Sequence, residues 1–369
     1  MQLESVVGWD LGGAHLKVAR LGVTGSVERV MQLPCPLWQG IPHLERALDE
    51  ATSVLGPAPI HAVTMTGEMV DLFSSRSEGV ARLVTLMRQR FPEAVLRFYA
   101  GLDGFVSAEE AGLAGLRLAS MNWMASGELV ATRVGDALLV DIGSTTTDLV
   151  PVEAGRICAR GHDDAGRLLG GELVYSGVVR TPLLAVASEA PFLGEWVPLM
   201  AELFATTADV HRLSGRLPED ADQHPAADGG EKTHAGSARR LARMIGRDAE
   251  SVPMAAWYRL GAWLARAQSR RLEDACERLL SRTNLQDSAP LVGAGVGRFL
   301  AADIAARLQR PYCDFAQLLP SSGPLPEGVS DCAPAVAVAW LAQRASVGVP
   351  SPPVVRSMPV PAGAARSGG

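Results

Sequence analysis

The sequence predicts an α/β protein of two lobes, each laid out as βββαβαβα. Two observations carry this. An apolar strand, an Asp, a tight Gly turn and a second strand occur at Val6–Ala19 and recur at Leu138–Val150. A β/α alternation follows each of them. The chain has 369 residues, 47% of them hydrophobic, which is enough for two cores of ordinary size. The expected units are residues 1–134, with the Asp10 hairpin, and residues 135–345, with the Asp141 hairpin and a helical insertion. A disordered Pro/Ala/Gly tail is expected over 346–369.

In the first unit, strands are expected at Ser5–Asp10, Leu16–Gly22 and Val27–Leu33. A helix around His43–Leu55 and a buried strand at His61–Thr66 follow. Val80, Leu83, Val84 and Met87 fall at spacings of three and four, which predicts a helix over Gly79–Arg90. Val95–Tyr99 reads as a strand, and the Ala-rich run Ala111–Val130 as one long helical stretch. The second unit opens with strands at Ala137–Asp141, Thr147–Val152 and Arg156–Ala159. Helices are expected at Pro198–Phe204, Ala238–Ile245 and Met254–Leu280, and Glu219–Gly236 reads as a loop. Pro290–Val292 and Tyr312–Phe315 are short strands. Gly297–Gln309 and Ala333–Arg344 are helices.

The hairpins point to phosphate chemistry. Glycine lets a backbone turn tightly and lets a ligand approach, and successive N–H groups in such turns bind anions. Gly12 and Gly13 in the first turn, and Gly143, Ser144, Thr145 and Thr146 in the second, are the expected phosphate donors. Asp10 and Asp141 end buried strands, where carboxylates hold Mg²⁺ directly or through water. Lys17 leaves the first turn. Of the 34 Lys and Arg residues, only Lys17 and Lys232 are lysine. A lysine kept in so arginine-rich a chain suggests a place that needs a compact ammonium.

Three further segments are candidates. Glu68, Asp71 and Arg76 follow the strand ending at Thr66, where α/β sheets bind ligands. Asp148 lies on the second strand of the second hairpin, and Glu172 and Arg180 follow it: Glu172 as an orienter of metal-bound water, Arg180 as a phosphate partner. His162 reads as a local hydrogen-bonding group. The run Val292-Gly293-Ala294-Gly295-Val296-Gly297 places Gly293 and Gly295 where a diphosphate or adenosine could sit at a helix N-terminus, although its spacing is not a dinucleotide fingerprint. No Walker P-loop and no nucleophile elbow is present.

The net charge of −6 argues against a nucleic-acid partner. No apolar run is long enough to cross a bilayer, and no basic n-region precedes the first strand, so neither a membrane nor a secretory signal is expected. Five scattered cysteines fit a reducing cytoplasm. Assembly as a homodimer is compatible with this reading.

The two D-x-G hairpins and the late Gly-rich turn resemble the actin-like ATPase superfamily, which implies a two-lobed, ribonuclease H-like fold. Within it the chain resembles the hydantoinase/oxoprolinase group, and in that group the branch tied to tetrahydromethanopterin-linked one-carbon transfer and methanofuran biosynthesis. The matching stretches are Gly8–Ala19, Met65–Val80, Asn122–Trp123, Val140–Val152, Gly170–Pro182, Ala238–Asp248 and Val292–Leu300. One departure is His162-Asp163, where the family has Thr-Asp. The resemblance implies a transferase that joins an aminomethylfuran-methyl diphosphate to the phenol of γ-glutamyltyramine or a tyrosine-like acceptor, releasing pyrophosphate. Its partners would be those small molecules and Mg²⁺. Mg²⁺ on Asp10 and Asp141, with Lys17, would neutralise the leaving diphosphate, and Glu68, Asp148 and Glu172 are the candidate bases. Two alternatives use the same hairpins with ATP: a kinase or hydantoinase/oxoprolinase-like hydrolase, and a nucleotide-switched binding module.

Overall fold

A computed structural model describes residues 3–321 and 323–346. The tail expected beyond Ser346 lies outside the described residues.

The first sheet contains β1 (Val6–Leu11), β2 (His15–Leu21), β3 (Val27–Pro34), β4 (Ile60–Met65), β5 (Val95–Tyr99) and β6 (Phe105–Ser107), in the order β3-β2-β1-β4-β5-β6. β1 pairs antiparallel with β2 and parallel with β4. The second sheet contains β7 (Ala137–Ile142), β8 (Thr147–Glu153), β9 (Arg156–Ile157), β10 (Leu173–Val174), β13 (Leu291–Ala294) and β14 (Tyr312–Asp314). Its order is β10-β8-β7-β13-β14, with β9 also on β8. β7 again pairs antiparallel with the next strand and parallel with β13. The two sheets therefore repeat one plan, as the sequence predicts. The third strand is the exception: in the second sheet it is split into the short pieces β9 and β10, both on β8.

Helices α1 (Ile41–Leu55) and α2 (Arg76–Arg90) lie on one side of the first sheet. In α1 the buried residues Leu44, Ala47, Leu48, Ala51 and Leu55 keep a spacing of three to four. The run Ala111–Val130 is not one helix. It divides into α3 (Ala108–Ala114), a 3-10 turn (Gly115–Leu118) and α4 (Asn122–Val134). Gly115 and Ser120 have positive φ (55° and 52°), which no continuous helix accommodates.

In the second unit α5 (Asp164–Gly170) follows the hairpin. The insertion holds the ribbon β11 (Glu189–Phe192) and β12 (Glu195–Pro198), then α6 (Thr207–Leu213), α7 (His234–Met244) and α8 (Met254–Leu280). The expected Pro198–Phe204 helix is absent: Pro198 ends β12 and irregular chain follows to Ala205. The helix begins instead at Thr207, where Thr206 and Asp209 form a capping box. α9 (Arg298–Arg307) and α10 (Ala333–Ser346) are the last helices among the described residues.

The two sheets share one core. α10 packs on β1, β2 and β4 of the first sheet, α4 packs on β7, β8 and β9 of the second, and α4 and α10 pack on each other. Strand alternation assigns side chains to this shared core. Val6, Ala19 and Leu21 face it from the first sheet, and Ala137, Leu139, Val150 and Val152 from the second. The intervening Val7, Trp9, Leu16 and Val18 face the outer core of the first sheet, and Leu138, Val140 and Leu149 that of the second. With a period of two, Asp10, Lys17, Asp141 and Asp148 all continue the inward faces.

Gly8 permits the closest of these contacts. A Cβ there would lie 2.0 Å from the carbonyl oxygen of Ala335 in α10. Gly8→Ala is expected to destabilise the protein by about 3 kcal/mol through overpacking, read from the midpoint of urea unfolding at unchanged slope.

On the outer face Trp9 donates its indole N–H to His61 Nδ1 at 2.9 Å. Burial lowers His61 to about 4; a hydrogen bond to the Ala58 backbone opposes this and Arg20 adds to it. The unfolded chain therefore takes up a proton that the folded chain refuses. Stability from this site is complete above about pH 6.5 and declines as pH falls toward 4, by up to about 3 kcal/mol. His61→Asn keeps an acceptor for Trp9 and removes the titration, so its stability between pH 7 and 4.5 should be flatter by that amount in chemical unfolding.

Candidate active site

The two hairpins open onto one cleft of about 600 Å³ between the sheets. In the first turn Gly12 N–H donates to the carbonyls of Asp10 and His15 (both 3.1 Å). A Cβ on Gly12 would sit 2.5 Å from the His15 carbonyl oxygen, so the turn requires glycine. In the second turn Gly143 N–H donates to Thr146 O at 2.9 Å. The chain at Ser176–Arg180 supports that turn: Val178 N–H donates to Gly143 O, and Val179 and Arg180 N–H groups to Ser144 O.

Register sets the charges opposite one another. Asp10 faces Lys17 across β1/β2, and Asp141 faces Asp148 across β7/β8. The equivalent position thus carries a cation in one hairpin and an acid in the other. Asp10 is raised to about 6 by burial, with Lys17 opposing and Asp148 and Glu68 adding. Asp141 is raised to about 7 by burial, again against Lys17, with Asp148 and Asp10 contributing. Burial would lower Lys17, yet Asp10 and Asp141 outweigh it and raise its pKa. Asp10 Oδ1 is buried without a hydrogen-bond partner. An acid pair that one lysine only partly offsets, with an unsatisfied oxygen, suits a divalent cation. Among the described residues no group of three or more His, Cys, Asp or Glu is disposed to hold a metal. A Mg²⁺ here would rest on Asp10, Asp141 and ligand or water oxygens, the usual arrangement for that ion.

The cleft also takes in Gly12, Gly13, Gly143, Ser144, Thr145, Thr146, Asp71 and Arg180 from the sequence-predicted set. Asp71 is exposed.

Glu68 and Arg76 are placed differently from expectation. Glu68 is buried behind the cleft, and Arg76 Nη2 lies 3.0 Å from Glu68 Oε1 and 3.2 Å from Asp164 Oδ2. Ser120 Oγ joins them, 2.8 Å from Arg76 and 3.0 Å from Glu68. The group ties α2 to α5 and closes one end of the cleft. Glu172 does not fit its expected role beside the metal. It is fully buried, accepts N–H groups from Arg160 (2.6 Å) and Gly161 (3.0 Å), and pairs with Arg282. Its satisfied carboxylate organises the backbone before α5.

The Gly-rich turn after β13 also departs from its expected role as a phosphate or adenosine seat. A Cβ on Gly293 would lie 2.5 Å from the Tyr312 hydroxyl, so that tyrosine covers it. Gly295 has φ of +78°, and a Cβ there would meet Asp141 Oδ1 at 2.5 Å. This glycine makes room for the Asp141 carboxylate.

Several lining residues escaped the sequence reading. Arg167 pairs with Asp148 at 2.6 Å and lies on the Trp123 ring at 4.1 Å, which explains the Asn122–Trp123 stretch. Asp164 and Ser120 line the cleft beside them. His15 and Trp38 also line the cleft as an aromatic wall, backed by His224. The His15 and His224 rings are 4.8 Å apart, the His224 and Trp38 rings 5.5 Å, and Arg180 lies 4.6 Å over Trp38. Burial holds His15 well below the usual imidazole range, and His224, Lys17 and Arg180 push the same way. His224 arrives on the loop expected over Glu219–Gly236 and donates to Ala14 O at 2.8 Å. Gln223 donates to Gln32 O at 3.0 Å. Lys232 binds neither ligand site nor cleft. It anchors this loop through Asp222, which Arg212 also holds. No short-range spacing could have announced a histidine supplied from so far along the chain.

The chain is similar to several known proteins. A Methanocaldococcus jannaschii protein named (4-{4-[2-(gamma-L-glutamylamino)ethyl]phenoxymethyl}furan-2-yl)methanamine synthase is 30% identical over 248 residues, 67% of this chain and 73% of the relative. The protein of that name from Methanococcus vannielii is 30% identical over 117 residues, 32% of this chain and 52% of the relative. Among solved structures, component A of the Acidaminococcus fermentans (R)-2-hydroxyglutaryl-CoA dehydratase aligns with a TM-score of 0.45 at 10% identity, over 93% of this chain and 99% of that one. A ROK family glucokinase from Streptomyces griseus aligns with a TM-score of 0.44 at 14% identity, over 91% and 98%. No described helix is long and apolar enough to cross a membrane. The hydantoinase/oxoprolinase family model matches residues 60–315, and with a relative of 30% identity over two thirds of its length, the chain belongs to the hydantoinase/oxoprolinase family.

Proposed function

We propose that this protein is a transferase that forms an aryl–alkyl ether in the biosynthesis of a methanofuran-type one-carbon cofactor. The donor is an aminomethylfuran-methyl diphosphate and the acceptor a phenol such as that of γ-glutamyltyramine. The observation that carries the reading is the facing of Asp10, Lys17, Asp141 and Asp148 across one cleft, in a chain 30% identical to a synthase whose product holds a phenoxymethyl-furan bridge.

The turns receive the diphosphate. The Gly13 backbone N–H and the hydroxyls of Ser144, Thr145 and Thr146 supply donors in turns shaped by Gly12 and Gly143, and Lys17 supplies a compact positive charge. Mg²⁺ held by Asp10 and Asp141 would supply further neutralisation of the diphosphate. The bond between the furan methylene and the diphosphate oxygen breaks with its electron pair leaving on oxygen. A furfuryl carbon bears positive charge well, so departure runs ahead of attack. The phenolic oxygen then bonds that carbon, and its proton passes to a carboxylate. Of the three carboxylates considered as base, Asp148 is the one that lines the cleft. Arg167 fixes its orientation. Buried His15 limits water beside the cation on that side of the cleft.

With Mg²⁺, pyrophosphate should appear only when the furan diphosphate and a phenolic amine are both present. ADP or phosphate from ATP alone would indicate the kinase or hydrolase chemistry instead. Asp141→Asn is expected to lower kcat by at least about a hundredfold with an unchanged unfolding midpoint; retention of most activity would remove Asp141 from the reaction. Lys17→Arg keeps the charge yet should cost about tenfold or more in kcat/KM, because a bulkier guanidinium displaces the compact ammonium from its half-buried position opposite Asp10. Steady-state pyrophosphate release measures both.

A further inference from the structure

The cleft has two cations without a described ion-pair partner, and they stand in different surroundings. Lys17 sits among acids, with Asp10 and Asp141 acting on it. Arg180 sits at the aromatic wall. Its guanidinium lies on Trp38 at 4.6 Å and lines the cleft, yet it makes no side-chain hydrogen bond or ion pair among the described residues. The other arginines at the cleft are spoken for: Arg167 by Asp148 and Arg76 by Glu68 and Asp164. The charges that sense Arg180 are His15 and His224, and the group acting on it is Tyr175, also in the cleft wall; burial lowers it, and no cleft carboxylate offsets this. A half-buried guanidinium stacked on an indole is held in a fixed plane, ready to pair with a planar carboxylate. Its ring neighbours offer apolar surface for an aromatic substrate.

We infer that Arg180, seated on Trp38, reads a carboxylate carried by the phenolic acceptor, while Lys17 faces the diphosphate. The cleft is thereby divided into an acidic end for the leaving group and an aromatic, cationic end for the acceptor. This rests on the ether-forming reading above.

The test compares γ-glutamyltyramine with its α-carboxamide, which differs only in lacking the carboxylate charge. The wild-type protein should favour the carboxylate acceptor by about tenfold or more in kcat/KM, chiefly through KM. Arg180→Gln should bring that ratio close to one while the KM of the furan diphosphate stays within about twofold. Arg180→Lys, which keeps charge without the planar fork, should restore part of the ratio. An unfolding midpoint equal to wild type establishes that the variants are folded. A wild-type ratio near one would overturn the inference. So would an Arg180→Gln variant that loses diphosphate affinity equally with both acceptors, which would make Arg180 a phosphate ligand. In either case pyrophosphate release by the wild-type protein leaves the ether-forming reading standing. No pyrophosphate with any phenol would overturn both.

Discussion

The opposition of Lys17 to two buried acids is the interaction on which the rest of the site depends. Asp10 and Asp141 converge where two sheets meet, and one ammonium cannot balance both in a dry environment, while Asp148 beside them is held by Arg167. Asp10 and Asp141 are therefore driven toward neutrality, first by burial and then by neighbouring acids. Such a centre is incomplete as an isolated protein surface. It gains most from a ligand that brings a metal ion together with phosphate oxygens, because the cation then meets the acids while the phosphates meet Lys17 and the turn donors. Under the proposed reading these electrostatics suit a metal-bound diphosphate and leave open what that group is attached to.

That attachment is governed by the rest of the wall. Arg167 and Arg76 are used internally, each holding an acid in place between neighbouring elements. Glu172 and Arg282 do the same one layer further out. This leaves the aromatic surface of Trp38 and His15 as the part of the cleft with no internal ionic task. Tyr312 over Gly293 and the Asp141 carboxylate against Gly295 take up the space at the Gly-rich turn. The organic portion of a ligand is therefore directed to the aromatic side.

Much of this was legible in the sequence, for a physical reason. Strand alternation and Asp-Gly turns are local, so the duplicated plan, the hairpins and the inward position of Asp10, Lys17 and Asp141 follow from residues close together in the chain. The helix α8 was legible because its amphipathic pattern is long. What failed was what depends on distant packing. Ala-rich residues 111–130 carry no local mark of the break at Ser120, which is fixed by its bonds to Glu68, Arg76 and Asp164. Glu172 looks like a free acid until Arg282, a long way down the chain, is folded against it. Gly293 and Gly295 match an anion-binding turn in spelling, and only the position of Tyr312 and Asp141 shows that their missing side chains serve packing. Lys232 stood out by composition alone; its role is to hold a loop.

The docking of α10 on β1 and β2 has a consequence for how the chain is made. The inward face of the first sheet has its cover some three hundred residues downstream, so a nascent chain emerging from the ribosome carries this apolar face bare until α10 is synthesised. Contacts of such high sequence separation form late and slowly. The amino-terminal half consequently waits, aggregation-prone, for the final helix, and a chain cut short before residue 333 lacks that cover altogether.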